Sequence, residues 1–225
     1  MKPRKIISNT FAGIVVIILA TVSVLAQQPD SNGRFIQVTA GMGVSAHWDP
    51  SMIDYINAVT IPPPGQKLKG FTSASEFFIT PEVQVSNDWS IGVEYSYFLK
   101  SYNVSGIYPM NFSCTAQMPN LLVHYLVPGD GYWLKFGGGP GIAFGNLSSE
   151  FLGTGGSQSA TTSGPLFKIE AVGNTEFDDH FWGSIGVELR WVYAGSFKGE
   201  LVNIAPPPKL DFFNAGVKFG VTFQL

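Results

Sequence analysis

The feature that most constrains this chain is a two-residue alternation of polarity that recurs in eight separate segments. In the last of them Phe213, Ala215, Val217, Phe219, Val221, Phe223 and Leu225 share one parity, against Asn214, Gly216, Lys218, Gly220, Thr222 and Gln224. In the first, Ile36, Val38, Ala40, Met42, Val44, Ala46 and Trp48 oppose Gln37, Thr39, Gly41, Gly43, Ser45 and His47. A strand turns successive side chains to opposite faces, so each segment reads as a strand with one apolar and one polar face. The pattern predicts strands over 34–48, 75–86, 90–101, 111–127, 132–144, 164–175, 181–194 and 210–225. Leu121-Leu122-Val123 interrupts the fourth and suggests a bulge there. The intervening stretches 87–89, 128–131 and 176–180 are short, whereas 49–74, 102–110, 145–163 and 195–209 are long.

Charges test the register. Glu76 with Glu82, Glu94 with Lys100, Lys168 with Glu170, and Glu188 with Arg190 are each separated by an even number of residues, so each pair shares its strand's polar face. Lys135 and Lys218 join them, giving five acids and five bases on that face. Arg34 and Asp211 have the apolar parity, but at strand ends. Alternation alone does not say which face points inward: a soluble sandwich or lipocalin-like barrel would hide the apolar one, a membrane barrel the charged one. Two facts favour the barrel. Charged residues are 13% of the chain, about half of what a soluble domain carries. A Lys or Arg facing lipid at the midplane costs roughly 2 to 4 kcal/mol, which accounts for the clearing of charge from one whole face. Enclosed charges must be paired, and equal numbers of each sign allow that.

The N-terminus reads as an export signal: Lys2, Arg4 and Lys5, then a mostly apolar 11–25, then a small-residue cleavage site between Ala26 and Gln27. The expected domains are therefore a cleavable signal peptide over 1–26 and one barrel domain over 27–225. Losing the signal removes three of the 13 basic residues and none of the 16 acids, leaving a net charge near −6 that argues against a nucleic-acid partner. The single Cys114 has no partner for an internal disulfide.

Lys218, Gly220, Phe223 and Leu225 have the spacing of the C-terminal signal read by the barrel-assembly machinery, with Leu where Phe is commonest. With these residues and the charged polar face, the chain resembles the small eight-stranded outer-membrane β-barrels of the OmpA transmembrane-domain and OmpX kind, in the porin-family style of Gram-negative cell envelopes. The resemblance implies a closed antiparallel up-and-down transmembrane β-barrel. It also implies outer-membrane location, lipid and lipopolysaccharide as surroundings, and an enclosed charge network of Glu76, Glu82, Glu94, Lys100, Lys135, Lys168, Glu170, Glu188, Arg190 and Lys218.

No catalytic, metal or cofactor site is expected. Gly137-Gly138-Gly139-Pro140-Gly141 lies inside a strand and lacks the Lys and Ser/Thr of a phosphate loop. His47, His124 and His180 fall at the outer rim, the periplasmic rim and a turn, too far apart to share a metal. Ser45 with His47 is the one pairing suggestive of a lipid A modifying barrel enzyme, with no acid evident in the first strand. Trp48, Trp89, Tyr125, Tyr132, Phe177, Phe181 and Tyr193 sit near strand ends, as interfacial girdles do. Pro62-Pro63-Pro64 and Pro206-Pro207-Pro208 are expected to stiffen two neighbouring loops as projections, and the long loops are available to a surface ligand. The expected function is a non-enzymatic outer-membrane protein with a structural and surface-interaction role. A narrow channel or small-ligand conduit, encouraged by lumenal Gly41, Gly43, Gly137, Gly139, Gly186, Gly216 and Gly220, is the alternative.

Overall fold

Each alternating segment forms a strand, and eight strands pair side by side into a closed ring. A computed structural model describes residues 35–63, 66–69, 71–104, 109–151, 156–200 and 205–225, so the expected export signal, its cleavage point and Arg34 lie outside the described residues. The strands are β1 (Ile36–Trp48), β2 (Phe71–Ser86), β3 (Trp89–Val104), β4 (Met110–Gly129), β5 (Tyr132–Phe151), β6 (Ser157–Asp178), β7 (Phe181–Ser196), the two-residue β8 (Lys198–Gly199) and β9 (Lys209–Gln224). Each of β1 to β6 is antiparallel to and paired with the next, and β9 pairs with both β7 and β1, closing a ring of eight. At the seam Val38 stands opposite Phe223 and Trp48 opposite Phe213. β8 hangs on β6 at Ala160 and Thr161, outside the ring.

The ring settles which face is inside. Met42, Phe77, Phe136, Phe167, Ile185 and Val221 are among the large apolar side chains exposed on the outer surface, while every charge of the even-spaced pairs is buried. A continuous apolar belt of this size is not a water-facing surface, and closure leaves no unpaired backbone edge within it. Trp48, Trp89, Tyr125, Tyr132, Phe177, Phe181 and Tyr193 are all exposed at strand ends, and Trp89 meets Tyr125 edge-to-face with centroids 5.4 Å apart.

Several strands run further than alternation predicted. β5 and β6 reach Phe151 and back from Ser157, so most of the expected loop 145–163 is strand. The bulge expected at Leu121-Leu122-Val123 is absent: Leu122 is buried, its neighbours are exposed, and the register against β3 is unbroken. An inward leucine had only looked like a break in alternation. Register shifts occur instead at Gln84/Ser86, Glu176/Asp178 and Tyr193/Ser196.

Beyond Met118 in β4 and Ala143 in β5 the two faces exchange character. Met110, Phe112, Cys114 and Ala116 point inward and are buried, whereas Asn111, Ser113 and Thr115 point outward. This outer part encloses an apolar core, plugged by α1 (Pro50–Thr60), which falls in the expected loop 49–74. Asp49 caps the helix, accepting from the Met52 amide at 3.0 Å, and Pro50 suits the first turn, where its missing N–H costs nothing. Met52, Tyr55, Ile56 and Val59 recur at helical spacing and pack with Phe98, Phe112, Leu147, Val192 and Phe212. The Asn57 amide holds the returning chain, accepting from Leu68 N at 2.9 Å and donating to Leu68 O at 3.2 Å. Of the two proline stretches Pro62 and Pro208 are buried, Pro63, Pro206 and Pro207 are exposed, and Pro64 lies outside the described residues; Lys209 N donates to Ser51 Oγ at 2.9 Å, tying the second stretch to α1.

Candidate functional site

The polar faces of β2, β3, β4, β5, β6, β7 and β9 converge in the half of the barrel nearer the tight turns, where outward apolar parity forces Glu, Lys and Arg inward. Arg190 is fully buried and grips Glu76 with both terminal nitrogens, at 2.7 and 2.9 Å, while Nη2 also reaches Glu188 at 3.2 Å. Lys168 lies among Glu94 at 2.5 Å, Glu170 at 2.8 Å and Glu188 at 3.2 Å. Lys218 pairs with Glu94 and, at 3.2 Å, with Glu170, its ammonium 3.9 Å from the Phe78 ring centre. Lys135 donates to Glu82 at 2.7 Å, and Glu82 also accepts from Gln37 at 2.6 Å and from Ser90. These contacts link seven strands across the lumen, and satisfying the remaining lone pairs is what makes buried ion pairs tolerable.

Two residues change the charge balance read from parity. Lys100 is buried but stands apart, donating to Thr72 with its ammonium 5.1 Å from the Tyr102 ring centre. Six residues beyond Glu94 is about 20 Å along an extended strand, so shared parity did not mean shared height. His124, expected at the periplasmic rim, is instead inside the network: Nδ1 faces Glu82 at 3.1 Å and Nε2 faces Glu170 at 2.9 Å. With acceptors at both nitrogens, the arrangement calls for an imidazolium donating twice. Five carboxylates thus meet Lys135, Lys168, Lys218, Arg190 and His124. The signal for His124 was its parity with Asn120 and Leu122 on the inward face of β4. Glu76, Glu94 and Glu188 bring oxygens within 4.8 Å of one another, a spacing a metal could use, but Arg190 and Lys168 already occupy the space between them.

Closure continues on both sides of the network. Toward the termini Phe35, Trp133 and Trp182 form an aromatic layer, with centroids 5.3 and 6.4 Å apart. Within the ion network, a cavity of about 20 Å³ between Phe78, Thr80, Glu82, His124 and Lys218 has room for one water. The lumenal glycines make space for neighbours rather than for a path. A Cβ on Gly41 would come within 2.8 Å of the Phe78 ring, and one on Gly137 within 2.7 Å of the His124 ring.

The acid absent from the first strand lies just past it. His47 Nε2 is 3.8 Å from Asp49, so Ser45, His47 and Asp49 alternate inward. The ring is fully enclosed between Phe98 and Phe212, at 5.2 and 4.2 Å, and Asn214 donates to the Ser45 hydroxyl at 3.4 Å. The helix cap takes up Asp49, and the apolar core encloses the His47 ring. Among the C-terminal residues, Lys218 and Gly220 face the lumen while Phe223 and Leu225 belong to the outer belt.

No protein-family model matches the chain, and no curated protein matches it in sequence. Among solved structures it is similar to Neisserial surface protein A (NspA), with a TM-score of 0.51 at 11% identity over 86% of this chain and 100% of that one. Ail, the attachment invasion locus protein of Yersinia pestis, gives 0.48 at 10% identity over 85% and 98%. OprG from Pseudomonas aeruginosa gives 0.47 at 13% identity over 86% and 96%. The ring of eight, the apolar belt and the likeness to NspA define the class: a small eight-stranded outer-membrane β-barrel, integral to that membrane. Its fold is that of the OmpA and OmpX-like barrels.

Proposed function

We propose that this protein is a non-enzymatic barrel that conducts nothing and works as a structural element of the outer membrane and through its external surface. The carrying observation is the filled lumen: an aromatic layer, an ion network and an apolar core with its helix follow one another, with room for one water between Phe78 and His124. An eight-stranded ring has an interior just wide enough for side chains to fill, and here they fill it. Single-channel recording in planar bilayers tests this, with no stable conductance steps expected; large, steady steps would replace the reading with the channel alternative. Enclosure of Ser45, His47 and Asp49 supports the absence of lipid A chemistry, checked by an unchanged lipid A mass profile on overexpression.

The same reading takes residues 1–26 as a cleaved export signal, and Lys218, Gly220, Phe223 and Leu225 as the signal for the assembly machinery. Deleting 223–225 should abolish the heat-modifiable folded form in the outer membrane. Normal amounts of it would remove that role. Lipid and lipopolysaccharide are the partners the belt implies.

A further inference from the structure

The outer wall of the barrel rises on one side only. β1 ends at Trp48, level with Phe213 of β9, at the top of the belt, whereas β3, β4, β5 and β6 continue past it. Counting from Gln117 to Asn111, β4 runs about 20 Å at the spacing of an extended strand, which at the usual barrel tilt of roughly 40° is a rise of about 15 Å. Its inner face is covered by α1 and the apolar core, and its outer face is left open.

That open face is laid out in cross-strand rows. Ser101, Ser113, Ser148 and Ser159 are successive partners across the four strands, and Thr115, Asn146 and Thr161 form the row beneath. Every one of these is at least partly exposed. Across β3 to β6 these two rows hold no charge, with Glu150 in the row above and Lys198 of β8 at the edge, although water-facing protein surface ordinarily carries a quarter or more charged residues. Composition does not impose this: at the opposite end the tight turns and the strand ends beside them present Asp88, Asp130, Glu176, Asp178 and Asp179. A flat, neutral sheet face in open water invites sheet-on-sheet association, which charged residues normally prevent. Directly below, Tyr97 and Phe144 begin the lipid-facing surface, so the face is continuous with the membrane interface and occupies the layer of outer-leaflet headgroups.

We propose that this face is a docking surface for the neutral sugars of the outer-leaflet glycolipid. Short hydroxyl and amide side chains donate and accept hydrogen bonds with little rotamer entropy to lose, which suits polyhydroxyl groups. Phosphate or sulfate ligands would call for a cluster of Lys or Arg, and across β3 to β6 these rows carry neither, Lys198 of β8 standing beside Thr161 at their far edge. Tyr97 and Phe144 beneath, on either side of Gln117, offer apolar ring faces to sugar C–H groups. The proposal deepens the reading that the protein works through its external surface, and it is tested separately from conductance.

Single-cysteine labelling in nanodiscs decides it, since Cys114 is buried. Ser159→Cys reports on the face, and Lys209→Cys, on the low wall at the same end, controls for general crowding. Each is labelled with a water-soluble maleimide in nanodiscs of lipopolysaccharide bearing neutral core sugars, and again in nanodiscs of lipopolysaccharide lacking them. The core sugars are expected to slow Ser159→Cys by about tenfold, as an occupant present roughly nine-tenths of the time would, and to leave Lys209→Cys nearly unchanged. Equal slowing at both sites would mean crowding alone and overturn the proposal, as would no slowing at either. Protection that needs no core sugars but rises with the number of protein copies per disc would assign the face to a second copy and overturn it equally.

Discussion

The two halves of the barrel are built from the same strands with opposite polarity. In the half nearer the turns, β6 turns Phe167 and Ile169 outward and Lys168 and Glu170 inward, while further along the same strand Ser159 and Thr161 face outward and Ala160 inward. The change follows the medium. Where lipid surrounds the wall, apolar side chains cost nothing outside and charges are tolerated only when enclosed and paired. Where water surrounds it, the ordinary rule returns and an apolar core forms, here completed by α1. One barrel therefore has two interiors, one held by ion pairs and the other by packing, and they should fail differently.

The largest effect is expected in the ionic half. Arg190→Leu strands Glu76 and Glu188 without their guanidinium and should destabilise the barrel by about 3 to 5 kcal/mol, read from urea unfolding in detergent. Unchanged urea resistance would show that the network adds nothing to stability. In the packed half, Phe112→Ala should cost about 3 kcal/mol, but locally. Limited proteolysis is expected to attack the outer part while the unboiled protein still migrates as a compact species; global unfolding would mean that the halves are one cooperative unit. The outer surface gives a contrast within one strand. Ile169→Lys should cost about 2 to 4 kcal/mol in a bilayer, whereas Thr161→Lys should stay within about 0.5 kcal/mol. Similar costs at both would erase the boundary between the halves. Within the network a smaller effect than that of Arg190→Leu is expected for His124→Gln, which keeps a polar side chain but loses the positive charge and the donors on opposite ring nitrogens, and should cost about 1 to 3 kcal/mol. Recovery of stability in His124→Lys would confirm that the site requires a cation, and stability equal to the parent in His124→Gln would show that it does not.

Much of the fold was legible because alternation is a local property. The parity of Lys168 with Glu170, or of Phe219 with Val221, needs no knowledge of the rest of the chain. The outer part was harder to read. Over 145–163 the inward residues are small, such as Ala160, and the outward ones are Ser, Thr and Asn, so the strands resemble a loop in composition. A signal for α1 was present, with Asp49 and Pro50 ahead of Met52, Ile56 and Val59, but it lay within a stretch assigned to a connection.

The sequence by itself determined that eight two-faced strands form and that charge is confined to one face of each, because side-chain direction alternates with every residue. Only the tertiary structure decided which residues share a level. Strand tilt and register carry Lys100 away from Glu94 and bring His124 between Glu82 and Glu170, on strands distant in the chain. Parity fixes a face, whereas height around a closed barrel depends on the register of every pairing at once.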